Sequence, residues 1–210
     1  MKIALLGATG GTGKSIIEQA LSAGHQVSAL VRDVSKLSSQ DGLTITQGDA
    51  RDGHAVSAVI NGADAVISTL GNFNRKPNTE VSDAAKVFVT AMEETGPKRL
   101  VVVTTIGVGD SYKPLKSPMF KYVVIGWVAR HIWKDRERQE AVIEASSLDW
   151  TIVRPGGLTD APHTGQYQVV DGGAAQPKKI SIGRADVADF CLKALKDDTY
   201  AGRKAVCVFY

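Results

Sequence analysis

The sequence predicts an α/β fold: a doubly wound, mostly parallel sheet with helices on both faces, in one domain spanning residues 1–210. Three observations carry the prediction. An apolar run at 2–6 passes through a glycine-rich loop into a helical stretch at 16–21. Later apolar runs then alternate with helical stretches, the pattern of parallel strands joined by right-handed crossovers. These runs are continuous and not alternating, as expected of strands buried on both faces.

Taken in order, Ser22-Ala23-Gly24 caps the first helix at its C-terminus, and a second strand follows at 27–31. A third lies at 43–47 and ends in Gly48-Asp49. Helical residues at 55–60 lead through Asn61-Gly62 to a fourth strand at 65–69. A helix near 80–95 precedes the fifth strand at 100–104, and an irregular segment runs to Pro118. One long helical region is expected at 119–146, then a sixth strand at 150–153. The last part reads as a short strand and turn at 164–173, an amphipathic helix at 186–195 and a terminal strand at 205–209. No repeat, low-complexity tract or linker divides the chain.

With 210 residues the chain is long enough to bury about 70% of its unfolded surface. It is 43% hydrophobic and 22% charged, ordinary for a globular protein. A formal charge of +3 is too small to argue for nucleic acid or a membrane surface. The two cysteines, Cys191 and Cys207, have neither metal-ligand spacing nor nearby histidines, so no zinc site or disulfide framework is expected. The chain opens on a core strand with no room for a signal peptide, and the longest nearly uncharged apolar run, 122–129, is too short for a bilayer. A cytoplasmic protein, monomeric or weakly dimeric, is the expectation.

A strand, a glycine turn and a helix in that order form a phosphate site, because glycine lets backbone approach the anion and the helix's first N–H groups point at it. Two readings compete. Gly7-x-x-Gly10-x-x-Gly13 matches the dinucleotide loop of a Rossmann fold, whereas residues 8–15 (ATGGTGKS) resemble a nucleoside triphosphate loop with Ala8 in place of its first glycine. The second needs an aspartate at the end of a later strand to hold magnesium, and the fourth and fifth strands end in Ser68-Thr69 and Thr104-Thr105. The dinucleotide loop is favoured.

Ligands of such sheets lie outside the carboxyl ends of the strands, so the strand-ending residues are informative. Arg32 ends the second strand, nineteen residues beyond Gly13. An arginine there offers a planar fork to a 2′-phosphate, which points to NADP(H), while neighbouring Asp33 is the residue that would instead meet the ribose hydroxyls. Asp49 is placed to accept from the adenine amine, or is a solvated turn residue. Gly71 lets the chain pass close to the nicotinamide ribose. Thr104 and Thr105 either face the nicotinamide and substrate or are simply good strand residues.

With these residues in place the chain resembles the atypical short-chain dehydrogenase/reductases, the group that includes NmrA-like proteins, biliverdin reductase B and bacterial NAD(P)H-flavin reductases. The likeness spans nearly the whole length and rests on GATGGTG at Gly7, LVRD at Leu30, GDARD at Gly48, DAVISTLG at Asp64, LVVVTT at Leu100, LDWTIVRPGGL at Leu148 and RADVADF at Arg184. It implies NADP(H) held by the loop (Gly7, Thr9, Gly10, Gly11, Thr12, Gly13), by Arg32 and Asp49, and by Leu70 and Gly71, with Pro155 and Gly156 flanking the nicotinamide.

The departures narrow the chemistry. Short-chain dehydrogenases use Tyr-x-x-x-Lys on one helix, where the lysine lowers the tyrosine's pKa. Tyr112 and Lys116 have that spacing, but Pro114 between them breaks a helical face. Lys134 stands near the place of the family lysine, with Arg130 where its tyrosine belongs, and Gly157 replaces the histidine of the flavin reductase type. Without a strong general acid, the expected acceptor is a small aromatic molecule such as a flavin or quinone, which takes hydride directly while solvent supplies the proton. Thr104, Thr105 and Lys134 are the candidate catalytic residues, and 106–146 and 156–184 the substrate-side segments. A basic stretch at 113–138 either rims a pocket for an anionic aromatic or is a solvated face. A nucleotide sensor of the NmrA type that turns nothing over is the alternative.

Overall fold

The computed structural model describes residues 1–72, 74–174 and 180–210; residues 175–179 of the expected substrate-side segment lie outside them. In chain order the elements are β1 (Lys2–Leu6), α1 (Gly11–Ser22), β2 (Gln26–Val31), β3 (Leu43–Gln47), α2 (Gly53–Ile60), β4 (Ala65–Ser68), α3 (Glu80–Thr95) and β5 (Arg99–Val103). A π-helix (Met119–Val128), α4 (Arg130–Glu144), β6 (Asp149–Pro155), β7 (Gly157–Thr159), β8 (Gln168–Asp171), β9 (Ser181–Gly183), α5 (Arg184–Ala194) and β10 (Lys204–Phe209) follow.

Eight strands form one sheet in the order β3-β2-β1-β4-β5-β6-β10-β8, parallel throughout except for β8 against β10. The missing alternation in the sequence has its cause here. Ile3, Ala4, Leu5 and Leu6 are all fully buried, Ile3 and Leu5 beneath α1 and α5, Ala4 and Leu6 beneath α2 and α3. The doubly wound α/β fold read from the sequence is the fold of the protein. β1 stands where the strand order reverses, β2 on one side and β4 on the other, so the crevice opens at its carboxyl end.

The long helix expected at 119–146 is two helices. Residues 119–128 wind as a π-helix closed by Ala129 N–H donating to the Val124 carbonyl at 2.8 Å, and the backbone breaks at Ala129 (φ −119°) before α4 begins. Val123, Val124 and Ile125 are β-branched in succession and crowd an α-helical turn, and Gly126 follows them. The start of α4 is fixed separately, by Trp133 Nε1 donating to the Ile106 carbonyl at 3.2 Å. The N-terminus of α3 is capped from α4: Asp135, buried, accepts from Val81 N–H (3.0 Å) and from the Ser82 hydroxyl (2.6 Å). This ties the two helices together.

Three-residue strands β7 and β9 pair in parallel and carry no pattern that a sequence reading finds. What holds this region is Asp186 on α5. Fully buried, it accepts from Thr164 N–H and Gly165 N–H (both 2.8 Å), the Thr164 hydroxyl (2.7 Å) and the Tyr210 hydroxyl (2.8 Å).

Burial alone pushes the Asp186 carboxyl up, but those four hydrogen bonds outweigh it and hold the group below the usual aspartate range. A depressed folded pKa gives stability that is complete above the unfolded value, near pH 4, and is lost as pH falls through the folded value. Asp186→Asn is therefore expected to cost about 2 kcal/mol at pH 7. Denaturant titrations should show that deficit shrinking below pH 4; a deficit unchanged from pH 7 to pH 3 would mean the charge contributes nothing.

Candidate functional site

At the carboxyl end of β1 lies a cavity of about 310 Å³. Its floor is backbone. Gly7 has φ +88°, and a Cβ there would stand 2.7 Å from the Thr69 carbonyl carbon and 2.8 Å from Leu70 N. A Cβ on Gly13 would meet the Gly7 carbonyl oxygen at 2.4 Å. The turn is closed by Gly10 N–H donating to Gly7 O (3.2 Å), and the Thr69 hydroxyl donates to the same oxygen (3.1 Å). Helix α1 starts directly from this turn, with no side-chain cap and no acidic residue in its first turn. Its leading N–H groups are thus left to the cavity, a site that favours an anion.

The structure brings most of the expected residues together here. Gly7, Thr9, Gly10, Gly11, Thr12 and Gly13 line the cavity on one side. Arg32, Asp49, Leu70, Gly71 and Thr104 line it from the ends of β2, β3, β4 and β5. Four expected residues are elsewhere. Pro155 and Gly156 are buried at the end of β6, where Gly156 lies against the backbone of Ile180 and Ser181 beside the β7–β9 pair; Leu158, two residues on, reaches the cavity instead. Thr105 donates to the Ile106 carbonyl at 3.4 Å and does not line it. Lys134 is exposed and does not line it; the α4 residue that does is Arg136. Tyr112 stands on a 3-10 turn at Gly109–Tyr112, not on a helix with Lys116.

The charged side chains sort by how they are engaged. Arg51, missed in the sequence, lines the cavity and clasps Asp49 with two bonds of 2.9 Å. That clasp holds the Asp49 carboxyl down at about 2. The Arg32 guanidinium makes no hydrogen bond or ion pair with a described residue. Asp33, its rival, does not line the cavity: its carboxylate accepts from Ser35 N–H (3.0 Å) and the Ser35 hydroxyl (2.6 Å), capping the next turn. On the other side, burial lowers the Arg136 guanidinium to about 10, and it donates to Gln139 Oε1 at 2.7 Å and the Val103 carbonyl at 3.4 Å. Lys14 is exposed and does not line the cavity, unlike the lysine of a triphosphate loop, which sits over the phosphates.

Behind Thr104 is a buried ionic group. The Thr104 hydroxyl donates to Glu140 Oε1 at 2.6 Å. Arg154 donates to the same carboxylate through Nε (3.1 Å) and Nη2 (2.7 Å), and its Nη1 pairs with Asp110. Arg154 and Glu140 are 2% and 3% exposed, so β6 carries a buried charge that α4 meets with a buried carboxylate. Among the described residues no cluster of His, Cys, Asp and Glu suits a metal ion, and no helix is long and apolar enough to cross a membrane.

Comparison with known proteins agrees with this geometry. A family model described as NAD(P)H-binding matches residues 7–198. An uncharacterized chloroplastic protein of Arabidopsis thaliana is 32% identical over 92% of this chain and 71% of its own. Among solved structures, ChuY, an anaerobillin reductase from Escherichia coli O157:H7, superposes with a TM-score of 0.82 at 27% identity, covering 100% of this chain and 97% of that one. The oxidoreductase YlbE from Lactococcus lactis superposes equally well, TM-score 0.82 at 25% identity over 100% and 90% of the two chains. The chain belongs to the NAD(P)H-binding family, built on a Rossmann fold.

Proposed function

We propose that the protein is an NADPH-dependent reductase whose acceptor is a flavin-like or quinone-like molecule. The cavity fits a dinucleotide on its own geometry: the cradle at Gly7 and Gly13 has no room for a side chain, and the uncapped start of α1 supplies anion-binding N–H groups. In this reading the glycine loop with Thr9 and Thr12 holds the pyrophosphate, Arg32 the 2′-phosphate, Asp49 with Arg51 the adenine end, and Leu70 and Gly71 the nicotinamide ribose. Bound NADPH supplies a hydride. Thr104 and Arg136 close the nicotinamide end, and the segments 106–146 and 156–184 cover the acceptor.

One observation carries the choice of acceptor. The described residues lining the cavity include no tyrosine, histidine, lysine or cysteine. Its two carboxylates are Asp49, held by Arg51, and Glu80 at the start of α3, electrostatically coupled to the same arginine. Ketone reduction develops an alkoxide and wants a proton donor at the reacting oxygen. A conjugated acceptor spreads the charge it receives, so orientation and a nearby cation suffice, and Arg136 is that cation. The similarity to an anaerobillin reductase and to an oxidoreductase supports reduction as the reaction class.

The direct test follows absorbance of the reduced nicotinamide with FMN, FAD, quinones, biliverdin and small aldehydes. Turnover is expected with the conjugated acceptors and not with aldehydes. Tight NADP(H) binding with no turnover in the whole panel would transfer the reading to a nucleotide sensor.

Cofactor choice is tested by Arg32→Ala. A charge-assisted contact contributes about ten- to a hundredfold in affinity, and this arginine is exposed, so the lower end applies. NADPH binding should weaken about tenfold while NADH is nearly unaffected, measured at one fixed ionic strength. Equal losses for both would place Arg32 on a shared part of the dinucleotide.

Lys14→Ala separates the two loop readings. Calorimetry should find NADPH affinity unchanged within about twofold and magnesium-ATP binding far weaker than NADPH. A large loss on removing this exposed lysine would revive the triphosphate loop.

A further inference from the structure

A cation in the first turn of a helix faces the positive end of the helix dipole, where acidic side chains are the usual choice. Arg184 is the first residue of α5, directly after Gly183, which offers no side-chain cap. Its side chain runs across the glycine loop: a Cβ on Gly11 would lie 2.5 Å from Arg184 Cδ and 3.0 Å from Nε. Gly11 is itself the first residue of α1. The two helices are tied side by side, Gln19 Nε2 of α1 donating to the Ala185 carbonyl at 2.8 Å. The start of α1 and the Arg184 guanidinium therefore stand together on one wall of the cavity, which Arg184 lines with Gly10, Gly11 and Thr12.

A guanidinium and a helix N-terminus at one point repel each other. Asp186, in the same turn of α5, has its carboxylate committed to Thr164, Gly165 and Tyr210. The ion-pair partner of Arg184 is Asp160, 2.6 Å from Nη1. Asp160 is 90% exposed and Arg184 27%, a pairing that adds little stability and is readily exchanged. A multiply charged anion beside Gly11 would satisfy the start of α1 and the guanidinium at once.

We infer that Arg184 is a cofactor-positioning residue that binds the pyrophosphate of the dinucleotide, with Asp160 holding the side chain over the loop and ceding it to the phosphate oxygens. This rests on the dinucleotide reading of the cavity and adds a side chain to a phosphate site otherwise made of backbone. It also gives Gly11 a reason. Gly11 has no left-handed backbone to accommodate, so what it provides is the space that the arginine crosses.

The test is a set of dissociation constants for NADPH and NADH, by calorimetry at fixed ionic strength, for the wild type, Arg184→Ala, Arg184→Lys and Asp160→Asn. The pyrophosphate is common to both cofactors. Arg184→Ala should weaken both by the same factor, about tenfold, and flatten the dependence of affinity on salt. Arg184→Lys should recover part of the loss, and Asp160→Asn should tighten both, since it removes a competitor for the guanidinium. Unchanged affinities in Arg184→Ala, or a loss confined to NADPH, overturn the assignment. Asp160→Asn decides the matter if Arg184→Ala does not fold, as judged by its circular dichroism melt: unchanged or weaker binding in that variant refutes the exchange. A wild type that binds neither cofactor refutes the dinucleotide reading itself, a different failure from a bound cofactor indifferent to Arg184.

Discussion

Three backbone segments meet at Gly7 with no space for a side chain between them. The end of β1, the first turn of α1 and the end of β4 touch there, and a Cβ on Gly7 or Gly13 would come within 2.4 to 2.8 Å of main-chain atoms. Backbone at that distance cannot yield as the tip of a flexible side chain can, so glycine is required at both positions. The contact fixes where α1 begins relative to the sheet. It brings the helix's unbonded N–H groups to the end of β1 and the turn after β4 into the same layer. A phosphate site of this kind has main chain for its floor and little power to choose between ligands. Discrimination falls to the rim, where Arg32, Arg51, Arg136 and Arg184 stand.

A second constraint lies one layer deeper. Burying Arg154 and Glu140 takes two charges from water, which a good hydrogen-bonded geometry roughly offsets without adding net stability. Burial works against the charged guanidinium, yet Glu140 and Asp110 hold its proton more firmly than water does. Removing one partner strands the other, at about 3–5 kcal/mol. What the pair contributes is position: it joins β6, α4 and the turn at 109–112, and through Glu140 it orients Thr104. With its proton donated to Glu140, the Thr104 hydroxyl can act toward the cavity only as an acceptor. The expectation that it faces the ligand thus acquires a direction.

The sheet was legible because parallel strands covered on both faces leave continuous apolar runs, and the glycine loop because sterics permit few alternatives at Gly7 and Gly13. The rim was less so. Arg51 was open to inference, since an aspartate and an arginine two apart after a strand form a side-chain-closed turn, as Asp49 and Arg51 do. Arg136 also had a signal. Residues 136, 139, 140 and 143 recur at helical spacing and face the sheet, and Lys134 is about 200° away from Arg136 around the helix. Matching a family lysine by position alone chose a residue that does not line the cavity. β7 and β9 were not legible in any sense: three residues each and far apart in sequence, they form because Asp186 and Tyr210 hold the chain around them.

The arginines on the rim are not equivalent, and the difference decides what each can do. Arg51 is satisfied by Asp49 and serves the shape of the cavity wall more than its charge. Arg136 is half-buried, with its proton affinity lowered by desolvation while Asp135 and Glu140 pull the other way. A desolvated cation that keeps donors in hand attracts negative charge strongly at short range. Arg32 is exposed and free of ion pairs among the described residues, suited to a phosphate that arrives and leaves. Arg184 stands between these cases, held by a partner that solvent already screens. A cleft lined by four arginines and, among the described residues, by no tyrosine, histidine, lysine or cysteine suits the polyanion and the charge-accepting neighbour of the proposed function. Such a lining is poorly equipped to protonate that neighbour, which is the chemical reason the proposed acceptor is a compound that carries added charge in a conjugated system.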